Sequence, residues 1–220
     1  MNSLKEFDLT HISRKTKLIA GCDEAGRGPL AGPVVAAAVI FDRKTFHPEI
    51  NDSKKVSEKK REELFGWIID HCLSYGAGII QHDEIDEINI LQASLKAMKT
   101  AVDKLSPKPQ LILIDGNKTF LSEIATKTVV KGDAKSFSIA AASIIAKVTR
   151  DRIMRTAAEQ YPEYFWSQNK GYPTQAHIEA VKKHGASPLH RRTFLRNILD
   201  HPLQIPLLAD DVNTDEVDNN

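Results

Sequence analysis

Four carboxylates draw attention by where they fall. Asp23 and Glu24 follow the apolar run Leu18-Ile19-Ala20-Gly21-Cys22, Asp115 follows Leu111-Ile112-Leu113-Ile114, and Asp133 comes shortly after Thr128-Val129-Val130. In α/β proteins ligands gather at the carboxyl ends of strands. Acids next to glycine, as Asp115 and Asp133 are, often just make turns or cap helices, and any one of the four taken alone is more simply read so. Three such strand ends in one chain weaken that explanation. If the four converge, two carboxylates about 4 Å apart repel by roughly 4 kcal/mol at an effective dielectric of about 20. The cluster must then bind protons or cations. Oxygen donors without cysteine or an obvious histidine favour hard cations, Mg²⁺ or Mn²⁺. An acid-lined two-metal site carries out in-line displacement at phosphorus. Adjacent residues of a regular strand point to opposite faces. Asp23 and Glu24 therefore share a site only if the strand bends there or the longer Glu24 side chain reaches round.

A glycine loop follows at once: Gly26-Arg27-Gly28-Pro29-Leu30-Ala31-Gly32-Pro33. Its spacing and the apolar strand after it exclude a dinucleotide fingerprint, and no Gly-Lys-Ser/Thr completes a P-loop. Tight turning explains some of the glycines. Missing side chains would also let backbone N–H and C=O groups approach a substrate directly, with Arg27 adding a cation beside the acids.

These residues need elements to hold them. The sequence predicts strands at Leu18–Cys22, Val34–Phe41, Tyr75–Ile80, Leu111–Ile114 and Thr128–Val130, the first two joined as a hairpin. The unalternating Leu111–Ile114 run suggests a strand covered on both faces. Helices are expected from the Ser57 cap through Cys72, over Ile85–Leu105, over Ser138–Glu159, from Thr174 to Gly185, and near Arg191–Leu199. No internal repeat or low-complexity linker divides the chain.

Composition excludes several classes. The 220 residues are 41% hydrophobic and 27% charged, the balance of a globular chain and not of a disordered one. The longest uncharged stretch, Gly28 to Phe41, contains two prolines and falls short of the roughly 20 apolar residues of a membrane span. The N-terminus lacks an apolar signal core, so a cytoplasmic protein is expected. Cys22 and Cys72 are too few and too far apart for a zinc site or redox pair; both are expected to be reduced and buried. Five acids and no bases occupy the last eleven residues. Without those acids, 30 basic residues face 24 acidic ones, a body of +6 that suits a polyanionic partner.

The run Asp23 to Pro33 resembles the signature of the type 2 ribonuclease H family, bacterial ribonuclease HII. Other blocks match in order: Asn51-Asp52-Ser53-Lys54-Lys55, Ile85 to Leu91, Ile114-Asp115-Gly116, Lys131 to Ser136, Ala141 to Val148 and Lys170-Gly171-Tyr172-Pro173-Thr174. The resemblance runs from about residue 18 to about 199. It implies an α/β, RNase H-like fold: a mixed five-stranded sheet flanked by helices, with a helical C-terminal segment over about 173–200. The expected division is an N-terminal segment (1–17), a catalytic unit (18–200) and an acidic, disordered tail (206–220).

The resemblance also implies endonucleolytic cleavage of RNA paired to DNA, and of single ribonucleotides embedded in duplex DNA, leaving 3′-hydroxyl and 5′-phosphate ends. By motif position Asp23, Glu24, Asp115 and Asp133 would bind Mn²⁺ or Mg²⁺. Gly26, Arg27 and Gly28 would meet the ribose 2′-hydroxyl, the group that distinguishes RNA from DNA. Tyr172 would stack on the neighbouring deoxyribose. Lys54 and Lys55 are candidates for holding phosphates, and Asn89 is a further substrate-binding candidate, although asparagine at a helix start is often only a cap. The clusters Lys182-Lys183-His184 and His190-Arg191-Arg192 would suit a duplex backbone or simply form solvated helix faces. The partners expected are RNA–DNA hybrid and ribonucleotide-containing duplex, with no membrane, and the protein is expected to be a monomer without room for the extra N-terminal domain of ribonuclease HIII.

Two other functions fit parts of this pattern. A junction resolvase of the same fold would use the acids on DNA, which the Gly26-Arg27-Gly28 loop argues against. A non-catalytic nucleic-acid-binding module would hold the acids for structure alone.

Overall fold

The computed structural model describes residues 2–199. Among these residues five strands form one sheet in the order β3-β2-β1-β4-β5. They are β1 (Ile19–Ala25), β2 (Val34–Ile40), β3 (Ser74–Ile80), β4 (Leu111–Asp115) and β5 (Ala125–Val129). β1 and β2 form the expected antiparallel pair, and β3 adds antiparallel to β2. On the other side β1, β4 and β5 run parallel. Three carboxyl ends therefore meet at one edge of a mixed sheet, and this topology brings together acids more than a hundred residues apart in sequence.

Among the described residues seven helices surround the sheet: α1 (Ser3–Thr10), α2 (Glu58–His71), α3 (His82–Asp103), α4 (Phe137–Gln160), α5 (Trp166–Asn169), α6 (Gln175–His184) and α7 (Arg192–Leu199). Both faces of the central strands are covered. Ile112 and Ile114 pack with Ala97, Met98 and Val102 of α3. Leu113 turns the other way, to Ile19, Val129 and Ile139 of α4. Each such buried side chain contributes about 1.5–3 kcal/mol, and two apolar faces explain why β4 shows no alternation.

α4 lies closest to the sheet where it matters for the acids. A Cβ at Gly21 would stand 2.1 Å from the main-chain carbon of Ser138, so only glycine lets the start of α4 rest on β1. The 3₁₀ turn Gly132–Ala134, which carries Asp133, is thereby fixed beside β1. Ser136 caps α4, its hydroxyl accepting from the Ile139 N–H. Asp8 of α1 completes the end, accepting from the Ser136 and Ser138 hydroxyls at 2.5 and 2.7 Å and from the Ser138 N–H at 2.9 Å. A buried acid at a helix N-terminus also complements the helix dipole.

The structure departs from the sequence expectations in several places. α1 and α5 were not foreseen. β5 begins at Ala125 instead of Thr128 and ends before Val130, which is exposed. α3 starts three residues earlier and is interrupted at Asn89, whose φ of 67° leaves the helical region. Cys72 is only half-buried, while Cys22 is buried; both are free thiols. Among the described residues no helix is long and apolar enough to cross a membrane. The acidic segment 206–220 lies outside the described residues.

Candidate active site

Asp23, Glu24, Asp115 and Asp133 line one cleft at the carboxyl edge of the parallel strands. Cys22 pairs with Ile114 across β1 and β4, so the next residues on each strand, Asp23 and Asp115, come side by side. β1 stays in register with β2 through Ala25, with Glu24 opposite Ala36. No bulge turns the Asp23-Glu24 pair. The pairing with β4 stops at Cys22, and the longer Glu24 side chain reaches the same cleft. Asp115 Oδ1 accepts from the Gly132 N–H at 2.6 Å, which ties β4 to the turn carrying Asp133.

The charges are only partly answered by protein. Glu24 Oε1 meets Arg27 Nη1 at 3.2 Å, while Glu24 Oε2 is buried without a hydrogen-bond partner. Lys54 Nζ lies 4.0 Å from Asp133 Oδ2. Burial, with Glu24 and Asp115 adding repulsion, pushes the Asp23 carboxyl well above the usual carboxylate range. Burial also raises Glu24 against the pull of Arg27, and burial with the Asp115 charge raises Asp133. In protein alone the cluster therefore relieves its repulsion by holding protons. Among the described residues no three His, Cys, Asp or Glu side chains are already gathered as a metal cage.

Gly26, Arg27, Gly28 and Tyr172 form the opposite wall. A Cβ at Gly28 would stand 3.9 Å from Tyr172 Cε1, so the tyrosine ring lies against the glycine loop with 37% of its surface exposed. The Leu30 N–H donates to the Gly171 carbonyl at 2.8 Å, joining the two segments. Lys54 lines the cleft as well.

Asn89 does not. Its Oδ1 accepts from the N–H groups of Leu91 and Gln92, so it caps the second half of α3. His190 and Arg191 are 2% and 0% exposed and cannot meet a duplex backbone, which corrects that part of the basic-cluster expectation. Lys182, Lys183 and Arg192 are exposed. Two further cleft residues, Ser53 and Lys147, were not singled out from the sequence. A signal existed for Lys147, the one charge in the stretch Phe137 to Val148; its Nζ bonds Asp151 at 2.8 Å and lies 5.5 Å from the Tyr172 ring.

A family model described as Ribonuclease HII matches residues 20–197. The chain belongs to the ribonuclease HII family. A ribonuclease HII from Acetivibrio thermocellus is 56% identical over 193 residues, covering 88% of this chain and 75% of that protein. One from Rickettsia felis is 52% identical over 191 residues, covering 86% of this chain and 98% of that protein. Among solved structures, ribonuclease H2 from Pyrococcus horikoshii is 32% identical, with a TM-score of 0.70 over 83% of this chain and 97% of that chain. The chain is thus an endonuclease of the type 2 ribonuclease H class with the RNase H-like fold, and the mixed sheet expected from the sequence is the one observed.

Proposed function

We propose that this protein hydrolyses the RNA strand of RNA–DNA hybrids and nicks 5′ of ribonucleotides embedded in duplex DNA, leaving 3′-hydroxyl and 5′-phosphate ends. Ribonucleotide removal during DNA replication and repair would use this reaction. The observation that carries the reading is the shared cleft: four carboxylates on one wall, a glycine loop and a half-exposed tyrosine on the other.

The acid wall suits a divalent cation. Its donors are carboxylate oxygens, one of them buried and unpartnered, and burial together with neighbouring carboxylates pushes Asp23 and Asp133 upward, which a cation reverses. Asp23, Glu24, Asp115 and Asp133 would hold Mg²⁺ or Mn²⁺. When bound, the metal supplies charge neutralisation at the scissile phosphate and activation of the attacking water. The 2′-hydroxyl then need not act as the nucleophile.

The other wall provides selection. A 2′-hydroxyl both donates and accepts a hydrogen bond, and the main chain at Gly26, Arg27 and Gly28 offers both kinds of partner at close range. Tyr172 presents an aromatic face where the adjoining deoxyribose would lie. Lys54 and Lys147 put positive charge at the cleft for the phosphates on either side.

Asp115→Asn and Asp133→Asn test the assignment of the acids. Each should lower cleavage by more than about 100-fold, since even groups behind a metal ligand cost about 10–100-fold. Hybrid binding, measured by fluorescence anisotropy, should remain, because the change also removes repulsion towards the polyanion. Full activity of Asp115→Asn would refute the reading.

A further inference from the structure

Two arginines outside the cleft's lining hold its glycine loop from behind. Arg150 of α4 and Arg191 just before α7 are both 0% exposed. Arg150 donates from Nε to the Pro33 carbonyl at 2.9 Å, from Nη2 to Ala31 at 3.1 Å and from Nη1 to Lys170 at 2.9 Å. Arg191 donates from Nε to the Gly32 carbonyl at 3.0 Å, from Nη1 to Arg27 at 3.0 Å and from Nη2 to Gly26 at 2.7 Å. Every acceptor is a main-chain oxygen, and five of the six lie on the loop from Gly26 to Pro33. Buried charge ordinarily demands an opposite charge or a full set of hydrogen bonds; here main-chain dipoles supply it.

The arrangement sets which way the loop's amides face. In a trans peptide the C=O and the following N–H point in opposite directions. With the Gly26 and Arg27 carbonyls drawn inward onto Arg191, the N–H groups of Arg27 and Gly28 are turned outward. Neither N–H has a protein acceptor among the described residues. The other arginine presses on Gly26 directly: its φ is +97° and a Cβ there would stand 2.1 Å from Arg150 Nε. Arg150 also bonds the Lys170 carbonyl and lies 5.6 Å from the Tyr172 ring, so one guanidinium supports both the loop and the tyrosine.

We propose that Arg150 and Arg191 are positioning residues for ribonucleotide recognition, holding the glycine loop so that the Arg27 and Gly28 amides face the substrate. The proposal rests on the reading that this loop meets the ribose. Lysine keeps the charge but lacks the planar fork of donors, so Arg150→Lys and Arg191→Lys isolate the geometry from the charge.

The parent is first assayed on a duplex with one ribonucleotide and on an all-DNA duplex; a parent that cuts neither, or both alike, refutes the functional reading and this proposal with it. With the parent active, each lysine variant is assayed at a temperature where circular dichroism shows it folded. The expected result is a fall in kcat/KM of about tenfold or more on the ribonucleotide duplex, as misplacement of a positioning group produces. The metal concentration giving half-maximal activity should stay within about twofold of the parent's, because the acids are held by other elements. Parental kcat/KM in the folded variants overturns the proposal, and so does a loss matched by a shift in metal requirement. If neither variant folds, amide NMR of the parent in EDTA decides. The Arg27 and Gly28 N–H resonances should move on adding the ribonucleotide duplex and not the all-DNA duplex; equal responses overturn the proposal.

Discussion

Asp23 is 6% exposed and has three further carboxyls, Glu24, Asp115 and Asp133, acting on it. A carboxyl whose pKa is higher folded than unfolded binds its proton more tightly in the folded state. Without metal, the folded protein therefore loses stability as pH rises from the ordinary carboxylate range through that raised value. Asp23→Asn removes the penalty. In EDTA at pH 8 the variant should melt measurably higher than the parent. Mg²⁺ or Mn²⁺ should raise the parent's melting temperature and leave the variant's nearly unchanged; a variant that melts below the parent in EDTA contradicts the repulsion described here. The four acids were legible in the sequence because each ends or closely follows an apolar run. Arg150 and Arg191 were not, because their partners are main-chain carbonyls of a distant segment, and neither spacing nor side-chain type announces such contacts.

At the scale of elements, α6 and the segment before α7 hold Tyr172 from beneath through a buried histidine pair. The Ser187 N–H donates to His190 Nδ1 at 2.9 Å, leaving His190 Nε2 to donate to His177 Nε2 at 3.1 Å. His177 Nε2 also accepts from Trp166 Nε1, and His177 Nδ1 donates to the Tyr172 carbonyl at 2.9 Å. These partners assign both rings as neutral. Burial lowers His177, and burial with the neighbouring His177 pulls His190 down to about 4. The unfolded chain binds more protons than the folded one between pH 6.5 and about 4, so the pair's stability is present above that window and is lost as pH falls through it. Urea unfolding of the parent and of His190→Asn isolates the effect, since the carboxylates are common to both. The stability gap should be largest at pH 7 and shrink by roughly 2 kcal/mol at pH 4.5; a constant gap contradicts the neutral pair. α6 was legible from its Thr174 cap and Gly185 stop. β5 was misjudged because Ala125, Lys127 and Thr128 are exposed, so its pairing with β4 leaves no alternating pattern. α1 left no trace because its Asp8 finds its partners only at Ser136 and Ser138.

For the whole molecule, sheet order decides the function. The parallel trio β1, β4 and β5 brings three carboxyl ends to one edge, and the β1–β2 hairpin places the glycine loop beside them. The ordered sequence blocks made the ribonuclease HII fold legible from about residue 18 onward, since every block except Ile85 to Leu91 contributes a residue to the cleft. What they left open was how adjacent Asp23 and Glu24 share a site, which the register through Ala25 answers. The measurement that tests the central claim most directly is incubation with a DNA duplex carrying one ribonucleotide, in Mg²⁺, Mn²⁺ or EDTA, beside an all-DNA duplex. A single nick 5′ of the ribonucleotide with metal, and none in EDTA or on the all-DNA duplex, is the predicted result. Cleavage of the all-DNA duplex, or no cleavage by folded protein with either metal, would contradict it.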